Sequence, residues 1–370
     1  MKTHYFKVQA LLLFISNLSK AEWIFKESGL KFEVIKFFAV NERIVWAISN
    51  SITDSGNVFT RTIDSGDTWA PGTVNEAMGM APTSIYALNA DTAWMSMYDK
   101  KNWGGGIFRT NDAGQHWTKQ ATAKFAAPNG FPNAVCFFDA LNGVALGDPN
   151  NGYFEIYTTS DGGENWLRVP GNNMPPSNFT AAQSTAFFKL DNSLWFVAID
   201  GRVFNSQDKG IHWTASQTIF FGIQEYPSQV GQIVFKNQND GLINFKKFNT
   251  RHSPFYFKGT GDGGKTWEKR TFAPFAISDS VVFSKIAFVP GSQSTWVGNY
   301  RVYKNKRSSP GFAFSKDDGK TWIPVPLEAA NMNVIKTELL FINDHTGWVA
   351  GNSVNPTKYG IYKWTGVLPE

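Results

Sequence analysis

Apolar residues recur along the chain in paired runs, each pair split by a short polar break. Seven segments show the pattern: residues 37–49 (FFAVNERIVWAIS), 85–97 (IYALNADTAWMSM), 134–148 (AVCFFDALNGVALGD), 186–200 (AFFKLDNSLWFVAID), 232–245 (QIVFKNQNDGLINF), 285–298 (KIAFVPGSQSTWVG) and 338–351 (ELLFINDHTGWVAG). Aromatic and β-branched residues dominate the runs, and turn-forming residues fill the breaks. Each segment is therefore expected to be a hairpin of two adjacent strands, a and b.

A second repeat, Ser/Thr-x-Asp-x-Gly-x-x-Trp, follows the first six hairpins. It reads TIDSGDTW (Thr62 to Trp69), TNDAGQHW (Thr110 to Trp117), TSDGGENW (Thr159 to Trp166), SQDKGIHW (Ser206 to Trp213), TGDGGKTW (Thr260 to Trp267) and SKDDGKTW (Ser315 to Trp322), with starts 48, 49, 47, 54 and 55 residues apart. Asp and Ser/Thr side chains can bond backbone groups a residue or two away, and Gly supplies the positive φ of a tight reversal. The Trp opens the next strand, where burying its ring contributes about 2–3 kcal/mol. The period suits the blades of a propeller.

Six in-phase copies over residues 62–322 resemble the Asp-box, or bacterial neuraminidase repeat, of sialidases, sortilin-type receptors, xyloglucan-cleaving propellers and the photosystem II assembly and stability factor group. The resemblance implies that each box turns between the third and fourth strands of a blade, at the periphery and away from the ligand face. It makes Asp64, Asp112, Asp161, Asp208, Asp262 and Asp317 structural, together with Trp69, Trp117, Trp166, Trp213, Trp267 and Trp322. The phrases at 147–166 (GDPNNGYFEIYTTSDGGENW) and 200–214 (DGRVFNSQDKGIHWT), with the closing GIYKW at 360–364, further resemble exported single-propeller proteins of bacteria.

Seven hairpins against six boxes leave one blade incomplete. GIYKW reads as a third strand with no box after it, and AEWIFKES at 21–28 reads as a strand that follows a box Trp. Joined, the two ends complete a blade and remove the exposed edges of an open array. The expected fold is all-β: a seven-bladed β-propeller of four-stranded antiparallel blades, with residues 22–370 as one domain and Trp23 in place of the missing box Trp.

Residues 1–21 differ. A basic MKTHYFK precedes an apolar stretch at 8–18, and Ser19 and Ala21 are spaced for cleavage. A signal peptide is expected, hence a secreted or periplasmic bacterial protein; a buried first strand is the alternative. The stretch is too short for a transmembrane anchor. The single cysteine, Cys136, lies in an apolar run and reads as an inert core thiol. A net charge of +5 is modest, and a monomer without a nucleic-acid partner is expected.

Ligand chemistry is sought on the face formed by the b–c and interblade connections, since long loops on a rigid scaffold carry function. Segments 245–256 and 299–311 place Lys246, Lys247, Arg251, Arg301, Lys304, Lys306 and Arg307 on adjacent blades, and segment 98–106 adds Trp103 beside Lys100 and Lys101. This clustering favours an anionic glycan or a protein client. Interblade segments 118–133, 170–183 and 219–229 bring Phe125, Phe131, Phe179, Phe220, Phe221 and Tyr226 to the same rim. Such rings stack on sugars, accept apolar side chains of a partner, or pack locally to hold the loops down.

Enzymatic readings are thinner. A sialidase resemblance would require an arginine triad and an early Arg-Ile-Pro phrase, which is absent. Another glycosidase would need two converging carboxylates, and Asp99 with Asp148 is the pair available. Asp148 also reads as a turn former ahead of Pro149. The five histidines are scattered, no spacing suits a metal, and no cofactor is expected. The sequence thus points to a binding or assembly scaffold, with a carbohydrate-active enzyme as the alternative.

Overall fold

A computed structural model of the chain describes residues 22–49, 56–128, 130–218, 229–246, 255–270, 280–293, 295–304, 307–325, 334–353, 360–366 and 368. Among them run seven four-stranded antiparallel sheets. Six are built from consecutive strands, as in blade 1 with Val34–Ala39 (a), Val45–Ser49 (b), Phe59–Thr62 (c) and Ala70–Gly72 (d). The seventh takes a, b and c from Val334–Phe341, Gly347–Ser353 and Gly360–Thr365, and its outer strand d from Glu22–Glu27 at the other end of the chain. The seven-bladed, end-closed propeller read from the sequence is the observed fold.

Trp23 sits opposite Trp364 in the closing pair and packs on Phe312 of blade 6, with ring centroids 4.8 Å apart. Trp117, a box Trp, likewise packs on Phe59 of the blade before it, at 5.4 Å. Trp23 therefore does take the box position of blade 7.

Blades are joined by the tryptophans of strand b. Trp46, Trp94, Trp195 and Trp348 are fully buried. Three of the indoles donate to the next blade: Trp46 to the Asn89 carbonyl at 3.1 Å, Trp94 to that of Gly162 at 3.3 Å and Trp195 to that of Gly263 at 2.8 Å. Trp348 makes the closing contact from blade 7 to blade 1 by lying over Gly66, where a Cβ would fall 2.5 Å from its Cη2. Gly66 also has φ +84°, so both space and conformation exclude a side chain there.

The repeated turns are held by one hydrogen-bond set. In the third, the Thr159 hydroxyl donates to Asp161 Oδ1 (2.8 Å) and accepts from the Gly163 amide (2.9 Å), while Asp161 Oδ1 also accepts from the Asn165 amide (2.9 Å). The same three bonds recur in the other five turns. Five of the turns also reach the a–b hairpin of their own blade among the described residues, as Ser65 does to the Arg43 carbonyl (3.1 Å), Gly162 to that of Leu141 (2.8 Å) and Lys209 to that of Asn192 (3.0 Å). The a–b and c–d turns thus share a lower face. Strand alternation sends the b–c and d–a connections to the opposite, upper face.

Candidate functional site

On the lower face the six box carboxylates are saturated by local donors. Hydrogen bonds from the backbone and side chain of Asn165 hold the Asp161 carboxyl down to about 2, and those of His116 do the same for Asp112. For Asp262 and Asp317 burial works upward, yet the bonds from Thr266 and Thr321 outweigh it and leave both at about 2. Groups so bound act as turn locks; they are poor proton donors at neutral pH.

The upper face carries different carboxylates. Asp99 closes its own loop, accepting from the amides of Lys101 (2.7 Å) and Asn102 (3.0 Å) and from the Asn102 side chain (3.0 Å). These bonds, the Lys101 amide first, lower its pKa. Asp148 is half-buried at the bulge of blade 3, where Oδ1 accepts from Asn133 Nδ2 (2.7 Å) and from the Ala182 amide of blade 4 (3.1 Å). Burial raises its pKa against those two bonds. Asp99 and Asp148 come from neighbouring blades, but each is engaged in its own local bonding.

Glu155, on strand c of blade 3, was not among the residues singled out from the sequence. It is 1% exposed, burial raises its pKa, Oε1 lies 2.7 Å from the Tyr157 hydroxyl, and Oε2 has no hydrogen-bond partner within geometric reach among the described residues. Its sequence signal is a lone charge in an apolar strand, YFEIYTT. Asp148 turns to blade 4, whereas Glu155 turns through Tyr157 to the Lys124 carbonyl in the connection from blade 2 (2.9 Å). The two carboxylates, close in register on strands b and c, are thus bonded to different neighbouring segments.

Of the basic residues, Lys247, Arg251 and Lys306 lie outside the described residues, as do Phe220, Phe221 and Tyr226. Lys246 ends strand b of blade 5 (Gly241–Lys246). In blade 6 the segment expected as a loop is strand instead: Trp296–Lys304 and Arg307–Ser315 pair along their full length, with Arg301 opposite Pro310 and Lys304 opposite Arg307. The strand formers Tyr300, Val302 and Tyr303 favour continued pairing over an irregular loop.

The aromatic rim divides. Phe125 is buried between blades 2 and 3, and Phe131 packs on Tyr98 at 4.7 Å. Trp103 is 56% exposed and lies beside both, 6.4 Å from Tyr98 and 6.2 Å from Phe131. Phe179 is 97% exposed.

Other chemistry is sparse. Among the described residues, no group of three or more His, Cys, Asp and Glu is placed to hold a metal, and no helix is long and apolar enough to cross a membrane. Cys136 is buried and its thiol is pushed up to about 12 by desolvation, as expected of a core residue.

Solved structures share this architecture. The fold is similar to that of YCF48. A structure of YCF48 bound to D1 peptide superposes with a TM-score of 0.62 at 15% identity, covering 94% of this chain and 97% of that one. YCF48 from Cyanidioschyzon merolae gives 0.62 at 14% identity, covering 93% and 99%. A GH74 xyloglucanase from Xanthomonas campestris gives 0.56 at 14% identity over 93% of this chain but 56% of the enzyme. No family model matches the sequence, and no curated protein does.

Proposed function

We propose that this protein is an exported, non-catalytic scaffold that uses the upper face of its propeller to bind a partner protein, with an anionic glycan as the other anionic partner. The observation that carries this reading is the engagement of Asp99 and Asp148 in structural hydrogen bonds, which suits a platform better than a general acid and base. The similarity to YCF48 bound to D1 peptide supports a protein client, though by fold alone. Trp103 and the basic segments of blades 5 and 6 (Lys246, Lys247, Arg251, Arg301, Lys304, Lys306, Arg307) are the leading contacts. Export rests on the character of residues 1–21.

The test pairs a glycan and peptide binding panel at low and high salt with a hydrolysis screen. Binding that weakens with salt and with Lys304→Ala and Arg307→Ala supports the scaffold. A second reading, a carbohydrate-active enzyme, is favoured by the raised pKa of Asp148 and the similarity to the xyloglucanase. Turnover that disappears in Asp148→Asn would replace the scaffold with that enzyme.

A further inference from the structure

Trp103 and Phe179 share a property that scattered surface aromatics lack. Both are exposed on the upper face and both hold a left-handed backbone, φ +51° and +61°. That region is unfavourable for a bulky side chain, and neither ring is buried in return.

The surrounding bonds enforce the conformation. Ser177 is buried and donates its amide (2.8 Å) and hydroxyl (3.0 Å) to the Gly152 carbonyl. Arg202, fixed by Asp200 at 2.7 Å, donates to the carbonyls of Pro176 and Ser177. The Thr180 hydroxyl accepts from the Asp200 amide at 3.2 Å. Phe179 therefore stands on a braced turn as a fixed knob. Trp103 is set by its amide bond to the Asp99 carbonyl (3.2 Å) and by Tyr98 and Phe131. The Phe131 carbonyl accepts from the Asp148 amide (2.9 Å) and Asp148 bonds Ala182, so one bonded band links the two rings across blades 2 to 4. Ile199, exposed and bonded to the Ala181 carbonyl, adds apolar surface at its end.

We infer that this band is a docking surface for a protein segment carrying apolar side chains among acidic ones. The inference rests on the scaffold reading and gives it a location distinct from the blade 5 and 6 segments. Charge selects the partner: Lys101, two residues from Trp103, and Lys119 and Lys124, on the strand and connection that follow, are exposed without an ion pair among the described residues and outnumber the Asp99 carboxylate of the same loop, and the connection at 169–181 carries no charge. A second copy docked face to face would bring these lysines toward their own equivalents, which like-charge repulsion opposes.

The test is an array of short synthetic peptides in which acidic and apolar content vary independently, probed with the purified protein. Peptides rich in both are expected to bind, with affinity falling as salt rises and falling about tenfold or more in Trp103→Ala and in Phe179→Gly. Glycine accepts positive φ, so Phe179→Gly is expected to keep or raise the thermal midpoint while losing binding, which separates docking from folding. Equal binding by wild type and Phe179→Gly, or a preference for basic or neutral peptides, overturns the inference. If peptides bind and only Lys304→Ala and Arg307→Ala abolish it, the scaffold stands and this surface falls; if wild type binds no peptide, this surface falls and the glycan panel decides the scaffold.

Discussion

Trp23 and Trp364 face each other across the antiparallel pair that joins the first described strand to the last, with ring centroids 5.4 Å apart. Trp23 also meets Phe312 and Phe341, so one half-buried ring ties blade 7 to blade 6 and the two chain ends together. Trp23→Ala is expected to cost about 2–3 kcal/mol, below the full range for a buried Trp because the ring is partly exposed. Deleting residues 22–28 should go further, leaving strand Gly360–Thr365 as an open edge that promotes association. Urea unfolding of the first variant and light scattering of the second provide the check. A deletion that stays monodisperse and equally stable would mean the ring closes without this strand.

The contact of Trp348 with Gly66 closes the ring from its core side. Gly66→Ala adds a Cβ 2.5 Å from the indole and places it at φ +84°, and the combined overpacking and strain should cost about 2–4 kcal/mol. Gly152→Ala, also at positive φ but with open space around its Cβ, is the control and should cost only about 1 kcal/mol. Comparing their thermal midpoints separates the steric part from the conformational part.

Much of this fold was legible because its determinants are local and repeated. The Thr-x-Asp-x-Gly-x-x-Trp turn carries its own hydrogen-bond set, and seven paired apolar runs leave little choice of blade number. The upper face has no such repetition. The Lys, Arg, Ser and Pro around Arg301 and Lys304 point to a loop, yet pairing with a long neighbouring strand extends the sheet through them. Glu155 escapes a sequence reading because its burial, and the bond that its strand neighbour Tyr157 makes to the Lys124 carbonyl 33 residues away, are set by how two blades meet.

The box turns should make the protein acid-sensitive in a defined window. Their carboxyls are depressed from 3.8 to about 2 in Asp112, Asp161, Asp262 and Asp317. A depressed folded pKa contributes stability that is complete above the unfolded value and is lost as pH falls toward 2. These carboxyls should therefore add no slope to the urea midpoint above about pH 5 and a steep drop between about 4 and 2. Thr159→Val keeps the shape but leaves the buried Gly163 amide without its acceptor, at a cost of about 1–3 kcal/mol. A midpoint that does not move below pH 4 would show that these bonds are equally strong with the acids protonated.

Glu155 and Tyr157 present a proton-counting problem with a testable answer. The tyrosine hydroxyl has one proton, yet it lies 2.7 Å from Glu155 Oε1 and 2.9 Å from the Lys124 carbonyl, both acceptors if the acid is ionised. A protonated Glu155 resolves it by donating to the hydroxyl, which then donates to Lys124. Burial raises the acid above its usual 4.5, in agreement. The ionised form is thus penalised by the fold: the penalty is absent below 4.5 and grows as pH rises through the raised folded value. Glu155→Gln supplies a permanent donor of similar shape, so it should match wild type at pH 4 and be more stable at pH 8. Tyr157→Phe leaves the Lys124 carbonyl and the acid unpaired and should lose about 1–3 kcal/mol at both. Urea unfolding at the two pH values decides, because a Glu155→Gln protein weaker than wild type at pH 8 would mean that the carboxylate is ionised and held by Arg168, the nearby cation that favours its charged form.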